Sequence, residues 1–435
     1  MPALLDRRID ALRASEYWYL DAEGRVYLDY TGAGLPAQAQ LTAHTSRMHG
    51  RCFGNPHSVN PASAASTELI ERARHAVLAH FNASPDEYVA IFTANASAAC
   101  RLVGEAYPFG MHGRLVLTSD NHNSVNGIRE FARTRGAVTS YVPPKAPDLR
   151  IGDDAIRAAL TPARSRGLFA YPAQSNFSGV RHPLAWIDIA HEQGYDVLLD
   201  AAAYVPSHPL DLSRYQPDFV PVSWYKVFGY PTGVGCLIAR REALARLQRP
   251  WFAGGTISAA SVAGDWHDLA DGETRFEDGT PSFLQVPDVE FGLTFIQNIG
   301  LDEISQHVKD LTEHLLGGLG ALRHGNGEPM IRVHGPSDTR DRGGTVAFSL
   351  LDPHGTLSRV RDIEQAAADA GICVRTGCFC NPGAAEAAFG FTGRDPRQMP
   401  GGGAVRASVG LASNLDDVRT FLTWLEETYA QHPVP

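Results

Sequence analysis

Ser223-Trp224-Tyr225-Lys226-Val227-Phe228-Gly229-Tyr230-Pro231-Thr232-Gly233-Val234-Gly235 decides how this chain is read. It sets one lysine between an apolar run, Phe219 to Ser223, and a loop rich in glycine and proline. The apolar run reads as a strand, which places Lys226 at the edge of an α/β sheet rather than on a solvated face. Upstream, Val197 to Ala203 is a second apolar stretch in which a buried strand ends on Asp200. A lysine and an aspartate on neighbouring strand ends suit pyridoxal phosphate, because the lysine can carry the cofactor and the carboxylate can hold its pyridine nitrogen protonated. The same pair also fits a structural salt bridge.

The chain in order narrows the choice. Val89–Thr93 reads as a buried strand, and Ala94-Asn95-Ala96-Ser97 turns into a helix. Free N–H groups and the helix dipole make such a turn an anion site, although a serine cap looks the same. Arg114–Thr118 is a further strand followed by Ser119-Asp120-Asn121-His122, at the edge where open α/β sheets bind ligands. Gly167–Pro172 is another, followed by Ala173-Gln174-Ser175-Asn176-Phe177-Ser178-Gly179. Beyond Val289, helices at about 301–322 and 358–370 alternate with short strands at 331–334 and 345–350, and the chain closes with a helix at 415–429. The domains expected are a large one, 26–288, and a smaller α+β one formed by 1–25 and 289–435.

These motifs, in this order from about Tyr27 to Leu411, resemble the class V aminotransferase fold in its cysteine desulfurase branch. Tyr171-Pro-Ala-Gln-Ser-Asn-Phe-Ser-Gly179 and Gly377-Cys-Phe-Cys-Asn-Pro-Gly383 are similar to the desulfurase domain of molybdenum cofactor sulfurases. The resemblance implies the aspartate aminotransferase-like fold type I, with a mainly parallel sheet and pyridoxal 5'-phosphate as cofactor. It implies that Ala96, Ser97 and Ser223 hold the phosphate, that His122 stacks on the ring and moves protons, that Asn176 bonds the phenolic oxygen and that Asp200 bonds the ring nitrogen. It assigns the amino-acid carboxylate to Arg406, with Arg375, Gly32 and Ala33 beside it. It assigns the persulfide to Cys380, with Cys378 as the competing thiol, in a loop expected to be mobile. Thr256, in Trp251-Phe-Ala-Gly-Gly-Thr-Ile257, is expected to complete the site of a second subunit in a homodimer. Two positions depart from the family: Ala203 stands where a glutamine or histidine is common, and Tyr225 precedes the lysine where many desulfurases have histidine.

The implied activity is desulfuration of L-cysteine to alanine, with sulfur passed through Cys380 to an unidentified acceptor. A carbon–sulfur or selenocysteine lyase, an aminotransferase or an epimerase would use the same fold, and a non-catalytic sulfur-carrier scaffold would dispense with the Lys226–Asp200 pair. Composition agrees with a soluble enzyme. The 435 residues are 44% hydrophobic and 20% charged, with a net charge of −10. No basic run suggests nucleic acid, no apolar run suggests a membrane span, and no metal-ligand spacing occurs. The amino terminus lacks a signal-like apolar core, so a cytoplasmic location is expected, where six cysteines are not expected to form disulfides. Large eukaryotic sulfurases carry a further carboxyl-terminal domain for which this chain has no room, so the acceptor is expected to be a separate protein, a biosynthetic intermediate or a thiol.

Overall fold

The computed structural model describes residues 2–162, 166–391 and 393–430. Its core is a seven-stranded sheet in the order Tyr88–Thr93, Gly235–Arg240, Phe219–Ser223, Tyr195–Asp200, Gly167–Pro172, Arg114–Thr118 and Val138–Val142. Only Gly235–Arg240 runs antiparallel to its neighbours. The four central strands are apolar along nearly their whole length and buried. That is the pattern of a sheet covered by helices on both faces. The arrangement is the fold type I expected from the sequence.

The six parallel strands end on one edge, so the turns after Thr93, Thr118, Pro172, Asp200 and Ser223 converge there. One close approach secures this edge. A Cβ at Gly235 would lie 2.4 Å from the Asn95 carbonyl carbon and 2.6 Å from its Cα. Only glycine lets the antiparallel strand start directly beneath the Asn95 turn.

A second sheet of four antiparallel strands follows the order Ile331–His334, Thr345–Leu350, Ala404–Ser408 and Arg375–Gly377. Helices Leu301–Ala321 and Leu415–Tyr429 pack on each other beside it. Two features bear on the domain boundaries read from the sequence. Val26–Tyr27 pairs in parallel with Ile372–Cys373, and Asp29 bridges to Ser408. The segment just after residue 25 therefore joins the carboxyl-terminal lobe. Residue 289 lies inside helix Pro287–Ile299, which packs on helix Pro61–His80 of the large lobe. Both differences arise because short segments follow their tertiary partners rather than their neighbours in sequence.

Several elements had no clear sequence signal. Helix Pro2–Glu16, the hairpin Ile257–Ser261/Trp266–Leu269 and helix Pro382–Phe389 are among them. No helix among the described residues is long and apolar enough to cross a membrane.

Candidate active site

Lys226 does not sit in a loop. The chain leaves strand Phe219–Ser223 into a short helix, Trp224–Phe228. Trp224 and Phe228, four residues apart, stack with ring centroids 5.9 Å apart and are buried together. That fixes the helix's inner face and leaves Lys226 on another. Its side chain lines a cavity of about 440 Å³ at the carboxyl edge of the large sheet, a size usual for small-molecule sites.

Seven of the predicted residues line this cavity: Ala96, Ser97, His122, Asn176, Asp200, Ser223 and Lys226. Ser124 and Thr232 add two hydroxyls, and Gln174 an amide, that sequence reasoning missed. Helix Ala96–Ala106 begins at the cavity wall. Asn95 caps it by accepting the Ala98 N–H at 2.9 Å, so the N–H groups of Ala96 and Ser97 remain without helical partners. The hydroxyls of Ser97 and Ser124 lie 2.5 Å apart. The Ser223 hydroxyl makes no hydrogen bond with any described residue, although Ser223 is buried. Free amides, hydroxyls and a helix amino terminus are the makings of an anion cradle.

Asp200 accepts one hydrogen bond, from the Ala202 N–H at 3.0 Å. Its charge acts on both His122 and Lys226. Burial lowers the Lys226 amine's pKa; Asp200 opposes this, whereas Arg406 and Arg375 add to it. A lysine of this kind holds more of the neutral, nucleophilic form than a free one does. Burial likewise lowers the His122 pKa. The His122 Nδ1 accepts the Ser124 N–H at 3.1 Å, so the neutral ring carries its proton on Nε2. Taken together, an amine, a carboxylate, an imidazole and an anion cradle fit pyridoxal phosphate.

Arg406 is buried on strand Ala404–Ser408, directly opposite Arg375 in antiparallel register. Neither residue is alone. Asp29 accepts from Arg375 Nη2 at 2.5 Å and from Arg406 Nη2 at 3.1 Å. Asp29 carried no sequence signal, because its partners lie 346 and 377 residues away. Gly32 touches this cluster and Ala33 lies beside it, its carbonyl accepting the Tyr27 hydroxyl.

Cys380 is exposed, and a thiolate there acts electrostatically on Lys226 and Arg406. Its backbone adopts a defined, hydrogen-bonded turn. Phe379 and Cys380 both have positive φ, 55° and 56°. Asn176 Nδ2 donates to the Phe379 carbonyl at 2.8 Å, and the Asn123 N–H donates to the Cys380 carbonyl at 2.7 Å. Asn381 is fully buried and donates to the Asp120 carbonyl and to Asn176 Oδ1. The Phe379 ring packs on Phe177 and lies under the Arg406 guanidinium, 4.7 Å from its centre. Asn176, predicted as a cofactor ligand, thus also holds the cysteine turn. Cys378 is partly buried and packs with the Phe379 cluster.

Thr256 stands apart. It is buried, and its hydroxyl exchanges two hydrogen bonds with the Ala253 backbone, each 2.8 Å. It lies at the base of the hairpin that exposes Val262 and Trp266. Among the described residues, no group of three or more histidine, cysteine or acidic side chains is placed to hold a metal.

The sequence profile of the aminotransferase class-V family matches residues 26–421. The chain belongs to that family. It is 36% identical to human molybdenum cofactor sulfurase over 455 aligned residues, covering 96% of this chain and 51% of that protein. The tomato (Solanum lycopersicum) molybdenum cofactor sulfurase is 34% identical, with 97% of this chain and 57% of that protein covered. The chain therefore spans about half the length of the curated relatives it matches. Among solved structures, a cysteine desulfurase from Thermococcus onnurineus NA1 superposes with a TM-score of 0.82 at 26% identity, covering 96% of this chain and 97% of that one. The family's matched span runs from the strand pairing at Val26 to the last helix, so it takes in every residue of the cavity and of the arginine–aspartate cluster.

Proposed function

We propose that this chain is a pyridoxal-phosphate-dependent cysteine desulfurase, which passes the sulfur of L-cysteine to Cys380 and from there to an acceptor. The position of Cys380 carries the reading. An exposed thiol sits in a hydrogen-bonded turn, close enough for its charge to act on Lys226 of the cavity and on Arg406. Likeness to the molybdenum cofactor sulfurases and to the Thermococcus desulfurase supports it.

The Ala96 and Ser97 amides, with the hydroxyls of Ser97 and Ser223, would hold the cofactor phosphate; Asp200 would face the ring nitrogen and His122 the ring. When bound, the cofactor supplies an electron sink at the substrate α-carbon. Arg406 binds and orients the substrate carboxylate. Lys226 moves the α-proton, burial favouring the neutral amine that can accept it. The Cys380 thiolate attacks the substrate sulfur. The carbon–sulfur bond breaks, its electron pair stays on carbon, and that carbon takes up a proton. Alanine leaves, and the sulfur remains on Cys380 as a persulfide.

Product analysis of the holoenzyme with L-cysteine and a thiol reductant tests this. Alanine and sulfide in equal amounts are expected. Pyruvate and ammonia in place of alanine would make the enzyme a lyase and overturn the reading.

Two copies would complete each other's sites. The exposed hairpin 257–269 supports an arm reaching a second subunit, and the exposed Trp251, Phe252 and Trp266 supply apolar area for the contact. Sedimentation equilibrium is expected to give a two-chain mass at micromolar concentration. A single-chain mass there would dismiss the shared site.

A further inference from the structure

Among the described residues, Asp29 is the one acidic group hydrogen-bonded to both clamp arginines. It takes a side-on fork from Arg375, with Nε 3.2 Å from each carboxylate oxygen and Nη2 2.5 Å from Oδ2. It leans on Arg406 through one Nη2 contact of 3.1 Å. Arg406 Nη1 donates to the Asn176 carbonyl, while its Nε is buried with no partner. The two arginines are therefore not equivalent. Arg375 is half exposed and already uses the fork that best matches a carboxylate. Arg406 is buried and keeps a donor free. Hydrogen bonding to Asp29 raises the Arg375 pKa, whereas burial lowers that of Arg406 and Asp29 opposes the fall. Gly32 makes the arrangement sterically feasible, since a Cβ there would lie 2.6 Å from Asp29 Oδ2 and 2.8 Å from Arg375 Nη2. Glu364 also acts on Arg375, but its carboxylate accepts from the exposed Thr376 hydroxyl and touches neither guanidinium.

We infer that Asp29 is a specificity-determining residue, which sets the carboxylate clamp at one net positive charge and so excludes amino acids with an anionic side chain. Two guanidiniums and one carboxylate leave a single positive charge, which one substrate carboxylate neutralises. A second anionic group on the substrate's side chain would enter a site with no charge left to meet it, and like charges placed close together in a buried site repel strongly. Arg375 anchors Asp29 rather than the substrate. The inference rests on the amino-acid-binding reading of Arg406, and its test does not require turnover.

The test is equilibrium titration of the holoenzyme with L-alanine and with L-aspartate, followed by the cofactor's visible absorption, in the native protein, Asp29→Asn and Arg375→Gln. The native protein is expected to bind alanine at least about tenfold more tightly than aspartate. Asp29→Asn raises the clamp's charge and is expected to shift the alanine-to-aspartate ratio at least about tenfold toward aspartate, with alanine affinity held or increased. Arg375→Gln lowers the charge and is expected to weaken both ligands, aspartate included. A merely structural Asp29 would weaken both ligands in Asp29→Asn as well and leave their ratio unchanged; that result would overturn the inference. So would an unchanged alanine affinity in Arg375→Gln, which keeps the question decidable if Asp29→Asn does not fold. If the native protein binds both amino acids but forms no alanine from cysteine, the desulfurase reading fails while the charge rule is still measured.

Discussion

Cys380→Ala is expected to lower alanine formation from L-cysteine by about a thousandfold or more, in line with the loss of other enzymes' nucleophiles. The cofactor absorption, and its response to added L-cysteine, should stay as in the native protein. The separation follows from the geometry. The thiol is exposed, while the turn is held by the Phe379 and Cys380 carbonyls and by buried Asn381, none of which involves Sγ. Alanine keeps the Cβ, so the strain at φ 56° is the same before and after. Glycine would relax the turn and confuse the outcome. Cys378→Ala is expected to retain most of the activity, because Cys378 is partly buried against the apolar cluster that includes Phe379, whereas Cys380 is exposed. Loss of alanine in Cys378→Ala with retention in Cys380→Ala would reverse the assignment. Unchanged turnover in both would remove the persulfide step altogether.

Lys226→Ala is expected to abolish covalent retention of pyridoxal phosphate, read as loss of borohydride-fixed label, and to cut turnover by at least about a thousandfold. Proton transfer by a positioned side chain contributes about 10²–10⁴ on its own, and the nucleophilic amine is lost with it. Lys226→Arg is expected to be as inactive. It keeps a positive charge near Asp200 but offers no group that loses its proton at usable pH. That pair of variants separates the amine's chemistry from its charge. In the native protein, the rate of covalent cofactor uptake should rise with pH and level off at a midpoint below the ~10.4 of an ordinary lysine. The direction follows from burial, which favours the neutral amine. Fixed label in Lys226→Ala, or more than a tenth of native turnover, would place the attachment elsewhere.

Local pattern made most of the large lobe legible. The strands at 167–172, 195–200, 219–223 and 235–240 are apolar runs bounded by turn residues, and burial on both faces leaves that signature in sequence. Helix 61–80 carries its buried face at helical spacing, with Ile70, Ala73, Val77 and Leu78 inward. The short helix around Lys226 was not legible, because five residues followed by Gly-Tyr-Pro carry too few turns to show a period. The hairpin at 257–269 was hidden for another reason: its strands are mostly exposed and have no buried face to alternate.

The sequence by itself determined the chemistry on offer: a lysine and an aspartate at strand ends, a serine-bearing helix start, and a thiol in a glycine-bounded turn. Each belongs to one stretch of chain, and each is shaped by neighbours within a few residues. Only the tertiary structure decided how those groups are held and charged. Asn176 joins the cofactor cavity to the cysteine turn across 203 residues. Asp29 meets Arg375 and Arg406 where a short amino-terminal segment crosses the carboxyl-terminal sheet. Such contacts leave no periodicity to read. A buried guanidinium needs a counter-charge from whatever segment the fold brings beside it, and that segment is chosen by chain topology, not by spacing in sequence.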